Sequence, residues 1–105
     1  MEDNKLIAEF MGVYSKEYGF DYYMLGNKGI KYHTSWDWLM PVVDKIESIE
    51  DEYGCAKYNV SVIQSFVEII DNRNSEEIIV VDKDNRFDST YAAVVDFIEW
   101  YNKRN

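Results

Sequence analysis

The chain has 105 residues, of which 20 are acidic and 11 basic, so its formal charge is −9. This acidic balance argues against direct binding to nucleic-acid phosphates or to an anionic membrane surface, both of which need clustered basic side chains. The single cysteine, Cys55, cannot form a disulfide within the chain, which excludes a disulfide-stapled scaffold and favours a reducing compartment.

A short first helix is predicted over Asn4–Met11, where apolar side chains recur at helical spacing. Asp3 is expected to cap its start, and Gly12 is expected to end it in a left-handed conformation. A hairpin follows, with strands predicted at Phe20–Leu25 and Ile30–His33 and a turn of glycine, asparagine and lysine between them.

The main helix is predicted from Ser35 to about Glu52, with one apolar stripe and an opposite charged face. The residues around Ser35 resemble a capping box, and Gly54 is expected to close the helix. Pro41 leaves two alternatives open. Either the helix is kinked there, or Pro41 begins the helix after a separate turn.

The segment Tyr58–Ile69 has strand periodicity in its first half and helical periodicity in its second. Its β-branched residues favour a strand, with a bulge near Gln64 that shifts the inward-facing set. A turn is predicted at Asp71–Ser75, and a further strand at Glu76–Val81.

The last helix is predicted over Asp88–Lys103, capped by Asp88 or Ser89. Its apolar face is wider than a single core-facing stripe, so we expect it to be deeply buried or partly covered by a partner or a second copy. The element order is then α-β-β-α-β-β-α. The expected fold is one α+β domain over residues 1–105, in two layers, with helices packed on an antiparallel sheet of about four strands.

Three blocks of the sequence, at 4–12, 35–46 and 91–102, read NKLIAEFMG, SWDWLMPVVDKI and YAAVVDFIEWYN. Together they resemble a family of small uncharacterised proteins encoded by bacteriophages and by Bacteroidetes-type bacteria. That family carries no assigned activity, cofactor or catalytic residue. The resemblance therefore implies an origin and a shared fold, but no mechanism.

No catalytic, cofactor-binding or metal-binding residues are predicted. Cys55 and His33 are the only cysteine and histidine, and both are expected to be structural, with Cys55 an inert core residue. The stretch Asp82–Asp88 begins like a calcium loop, but Arg86 and Phe87 stand where such a loop needs a ligand and a glycine. An acidic turn followed by a helix cap is therefore expected there.

The aromatic residues are the feature that most favours a binding surface, since tyrosine and tryptophan give large contact areas at low entropy cost. The alternative is that they fill the core and the sheet faces of a small domain. The candidate interaction residues are Tyr22, Tyr23, Tyr32, Trp36, Trp38, Phe97, Trp100 and Tyr101.

Three functions are compatible with this sequence. The first is a cytoplasmic protein–protein interaction module of phage or mobile-element type, without catalytic activity, that binds a protein partner and self-associates through the last helix. The second is a small ligand-binding domain or enzyme, with a pocket between sheet and helices lined by Tyr22, His33 and Trp36. The third is an acidic nucleic-acid mimic, whose carboxylates would stand in for phosphates. The N-terminus lacks the features of a signal peptide, and no apolar run is long enough to cross a bilayer.

Overall fold

A computed structural model of the chain describes residues 2–15, 19–20 and 30–104. Within these ranges the elements in chain order are α1 (Glu2–Phe10), β1 (Tyr14–Ser15), β2 (Gly19–Phe20), α2 (Trp36–Ser48), β3 (Tyr58–Ile63), β4 (Phe66–Asp71), β5 (Glu76–Asp82) and α3 (Arg86–Arg104). The α+β class is confirmed. The predicted element order and the sheet of about four strands are wrong, because the main sheet that these residues form has three antiparallel strands in the order β3-β4-β5.

The first predicted hairpin differs most from the structure. The segment Ile30–His33 is not a strand, because the N–H groups of Thr34 and Ser35 both donate to the carbonyl of Lys31 and curl the chain into a turn. The short strands β1 and β2 pair with each other instead, in a separate two-stranded sheet. The rest of the predicted first strand and its turn, 21–29, lies outside the described residues.

The ambiguous segment after Lys57 is a β-hairpin made of β3 and β4. Ile63 pairs with Phe66, so Gln64 and Ser65 form a two-residue turn where the bulge was predicted. Gln64 has a φ of 55°, and Ser65 does not share this positive φ. Positive φ at the first central residue alone is the pattern of a type II′ turn, whose twist matches that of the flanking strands. The register shift of the sheet lies elsewhere, between Ile69 and Ile70 where β4 pairs with β5.

Helix α2 runs from Trp36 to Ser48 with Pro41 inside it, so the alternative in which Pro41 begins the helix is wrong. The expected capping box is also wrong, since Ser35 occupies the N-cap position without a side-chain hydrogen bond to the helix. The helix ends before Glu52 because Ile49 takes an extended conformation.

Helix α3 begins at Arg86, two residues before the predicted start. Its cap is Asn85, whose Oδ1 accepts the N–H of Asp88 at 2.9 Å while its Nδ2 donates to Asp88 Oδ2 at 3.0 Å. The bond from the Asp88 N–H supplies a partner for a backbone donor that has none within the first turn of the helix. Ser89 is buried instead, and its Oγ accepts the N–H of Lys83 at 2.7 Å.

Helix α1 begins at Glu2, so Asp3 lies within the helix and is not its cap. The left-handed conformation predicted for Gly12 is confirmed by its φ of 78°. The side-chain amine of Lys45 donates to the carbonyl of Phe10 and lies over its ring, which ties the end of α1 to α2.

The core lies between one face of the three-stranded sheet and the helices α2 and α3, and α1 packs against α3. The side chains with no exposed surface include Ile7, Leu39, Val42, Ile46, Val67, Ile69, Val94, Phe97 and Ile98. None of the helices in the described ranges is long and apolar enough to cross a membrane.

Candidate interaction surface

A group of exposed apolar side chains lies where α2, β3 and α3 meet. Trp36, Met40 and Val62 are 38%, 43% and 37% exposed. With Arg86 they line a hollow of about 380 Å³. These four residues are named the Trp36 surface below. The Trp36 ring also contacts Phe87 edge to face, with ring centroids 4.9 Å apart, so its orientation is held by α3.

The position of this surface follows from the periodicity of α2. Trp36 and Met40 are one turn apart and therefore share a side of the helix. The buried stripe of α2 consists of Leu39, Val42, Val43 and Ile46. Trp36 and Met40 lie at one margin of that stripe, whereas Trp38 lies towards the other margin and is half-buried. The two indoles therefore do not face the same part of the core.

The surface adjoins an open edge of the sheet. Because Ile63 pairs with Phe66 across the turn, the backbone groups of Ser61 and Ile63 face β4, and those of Val60 and Val62 face away from it. The N–H of Val60 donates to Glu47 Oε2 at 3.1 Å, which agrees with this alternation. In the part of the chain that the structure describes, no strand pairs with this edge of β3.

A second, wider hollow of about 610 Å³ shares Trp36 and Arg86 with the first and extends it along the hairpin turn. Arg86 Nε donates to the carbonyl of Gln64 at 3.1 Å, which holds the guanidinium against the turn. Asp84 lines the same hollow, and Asp82 accepts a hydrogen bond from Ser65 at 2.8 Å. The Trp36 surface is thus bordered on this side by one cation and two carboxylates.

The candidate interaction residues that precede α2 or lie in its first turn differ in their exposure to solvent. Tyr32 is only 4% exposed and contacts Trp38 edge to face, with ring centroids 5.2 Å apart. Burial raises the pKa of the Tyr32 hydroxyl above its ordinary value. Tyr22 and Tyr23 lie outside the described residues. Of this group, Trp36 has the largest exposed fraction among the residues that the structure describes.

The aromatic residues of α3 belong to the core, so including Phe97 in an interaction surface is a prediction that the structure corrects. Phe97 has no exposed surface and stacks on Tyr101, with centroids 5.6 Å apart. The ring of Tyr58, from β3, meets Phe97, Trp100 and Tyr101 edge to face. Phe10, from α1, covers Tyr101 from another side. The wide apolar face of α3 is therefore largely covered by the chain itself, and Trp100 and Tyr101 are half-buried.

A polar hollow of about 300 Å³ lies at the opposite end of the sheet. Arg73 makes a bidentate ion pair with Asp71, with Nε–Oδ1 and Nη2–Oδ2 distances of 3.0 and 2.7 Å. The guanidinium holds the pKa of Asp71 at about 2, well below its usual range. Arg104 lies over the ring of Trp100, and Lys57 over that of Tyr58. The cations of this hollow are thus engaged within the chain.

No hydrogen bond joins the side chains of His33 and Cys55, which both lie in the part of the chain that the structure describes. The side-chain amide of Asn4, itself buried, donates to His33 Nδ1 at 2.6 Å and accepts from the Tyr91 hydroxyl at 2.7 Å. Cys55 is exposed in a turn, which corrects the expectation of a core residue. Across residues 2–15, 19–20 and 30–104 no three His, Cys, Asp or Glu side chains are grouped to hold a metal ion.

Met40, Val62 and Arg86 are missing from the residues predicted from sequence. One signal could have indicated Val62. The stretch Tyr58–Val67 contains no charged residue and, at ten residues, is the longest such run in a chain that is 30% charged. Charge depletion is a compositional mark of the centres of interfaces as well as of cores.

Comparisons with known proteins add nothing to this geometry, since no protein-family model, curated protein or solved structure matches the chain. The resemblance to small bacteriophage- and Bacteroidetes-type proteins therefore stays a prediction.

Proposed function

We propose that the chain is a protein–protein interaction module of phage or mobile-element type, without catalytic activity, and that it binds its partner through the Trp36 surface. The observation that supports this most directly is the exposure of Trp36, Met40 and Val62 side by side around one hollow. Single exposed apolar side chains are common on soluble proteins, whereas contiguous ones mark binding sites.

Trp36 has the properties of an interface anchor. Tryptophan is enriched among the residues that dominate binding energies, particularly where the ring enters a desolvated pocket. The edge contact with Phe87 already restricts the Trp36 ring, so less side-chain entropy is lost when a partner packs against it. Replacement of Trp36 by alanine should then cost about 2 kcal/mol of binding free energy, which weakens the complex about 30-fold.

Affinity capture with matched variants tests the proposal. The immobilised chain is exposed to extracts of a Bacteroidetes-type bacterium, before and after phage infection. The same capture is repeated with Trp36→Ala and with Tyr53→Ala. Tyr53 is a suitable control because it is 82% exposed in the turn between α2 and β3 and is not part of the Trp36 surface.

We expect a protein that is retained by the wild-type chain and by Tyr53→Ala, and lost with Trp36→Ala. Thermal unfolding of each variant verifies that it is folded. Equal retention by Trp36→Ala and the wild type would show that the partner binds elsewhere. A chain that captures nothing specific from either extract would contradict the interaction role.

A further inference from the structure

The two edges of the main sheet differ in charge. Strand β5 carries Glu76 and Glu77 at its start and Asp82 at its end, whereas β3 and its turn carry no charge. Soluble proteins usually protect edge strands with charged residues, proline or a covering segment, because open backbone groups pair readily with other strands. Across the described residues, β3 is an edge strand without charged residues or proline, and helix α2 packs against it.

Glu47 protects only part of this edge. Its carboxylate accepts the N–H of Val60. By the same alternation, Val62 is the next residue towards the turn whose N–H and C=O face away from β4. The side chain of Val62 also lines the hollow of the Trp36 surface. An outward-facing donor and acceptor therefore lie directly beside an apolar hollow.

The charges around this edge indicate which partner it suits. Glu47 lies at one end, where Lys57 directly precedes the strand, and Asp82 and Asp84 lie at the turn end with Arg86. A second copy of this chain, with a net charge of −9, would bring the same carboxylates opposite these. A partner with lysine or arginine beside its binding segment would be attracted to these carboxylates. Such electrostatic complementarity contributes to the specificity of an interface.

We propose that the partner contributes an extended segment that pairs with Val62 as an added strand of the main sheet. One of its apolar side chains occupies the hollow of the Trp36 surface, and a flanking lysine or arginine faces Asp84. This inference rests on the proposed function and specifies the chemistry of the partner. When a peptide adds a strand to a sheet, its backbone hydrogen bonds provide affinity. Pockets that bind every second side chain of the peptide provide specificity. Because Glu47 holds the N–H of Val60 and Arg86 donates to the carbonyl of Gln64, the pairing is confined to Val62.

The test is selection of a random linear peptide library on the folded chain, followed by affinity measurements with the selected peptides. We expect a consensus with apolar residues at alternate positions and lysine or arginine at a flank, and affinity that falls as salt is raised. The decisive variant is Val62→Pro. It removes the outward N–H but leaves the bonds from Ser61 and Ile63 to β4, and proline is tolerated on edge strands at such positions. Val62→Thr is the matched control that keeps the N–H.

Val62→Pro should weaken peptide binding about tenfold, the loss expected for one backbone hydrogen bond, and Val62→Thr should change it far less. If Val62→Pro does not fold, methylation of the peptide nitrogen that pairs with Val62 supplies the same test on the wild-type chain. A consensus with apolar residues at helical spacing, or equal binding to folded Val62→Pro, overturns strand addition. Self-association of the wild-type chain that is abolished by Val62→Pro also overturns it, because a second copy is then the occupant.

The two proposals fail in distinguishable ways. If the peptides bind the Trp36→Ala variant weakly but the Val62→Pro variant as well as the wild type, the proposed surface is supported and the added strand is refuted. Peptides whose binding is unchanged by Trp36→Ala refute the proposed surface itself.

Discussion

The ion pair between Asp71 and Arg73 should make the stability of the chain depend on pH in a defined way. Asp71 ends β4, and its side chain is 9% exposed. Besides the bidentate guanidinium, it accepts the backbone N–H of Arg73 at 2.9 Å, which fixes the start of the turn to β5. The substitution Asp71→Asn keeps a side chain of the same shape and removes its charge.

The magnitude follows from the pKa of Asp71, which falls from 3.8 to about 2 in the folded chain, chiefly through the side-chain hydrogen bonds from Arg73. A depression of this size corresponds to about 2 kcal/mol of folding free energy. The Arg73 side chain is 55% exposed, so solvent screens the pair. We therefore expect Asp71→Asn to lower the free energy of unfolding by about 1–2 kcal/mol at neutral pH.

Because the folded-state pKa is the lower one, the contribution of Asp71 is complete above its unfolded value and is lost as pH falls through the folded value. Urea unfolding of the wild type and Asp71→Asn should thus differ by a constant amount from pH 7 down to about pH 4. The difference should shrink below that and be nearly gone at about pH 2. Asp44→Asn, on the exposed face of α2, is the control and should change stability by less than about 0.5 kcal/mol at any of these pH values. A difference that stays constant down to pH 2 would refute the reasoning, since the effect would then come from turn geometry and not from charge.

Four further predictions concern the fold. Asn85→Ala should lower the free energy of unfolding by about 1 kcal/mol in urea titrations, because it removes the cap of α3. Asn4→Ala should cost about 1–3 kcal/mol, since Tyr91 loses its acceptor, and part of this loss should be recovered in the double variant with Tyr91→Phe. Gln64→Gly should raise the unfolding temperature and Gln64→Val should lower it, because the turn requires positive φ at this position and a β-branched residue tolerates it least. Cys55→Ser should leave the unfolding temperature unchanged within error, since the thiol is exposed.

The sequence predicted local features correctly where local geometry decides them. The helices are recognisable from the spacing of apolar residues in 36–48 and 86–104, and Gly12 has the left-handed conformation expected after a helix. The Gln64–Ser65 turn was missed because it lacks the glycine or asparagine by which such turns are usually recognised. Without that signal, one long strand with a bulge and two short strands have nearly the same periodicity.

By itself, the sequence determined the α+β class, the main helices and the acidic, aromatic-rich composition, because propensity and periodicity act within a few residues along the chain. It could not decide which aromatic residues form the core and which form a surface. Phe97 and Trp36 both lie on apolar helix faces, yet Phe97 is covered by Tyr58 from a distant strand, and Trp36 lies beside β3 and stays 38% exposed. Only tertiary packing decides this, because the residues that cover each ring are far away in the sequence. The same packing places the uncharged strand β3 beside Trp36.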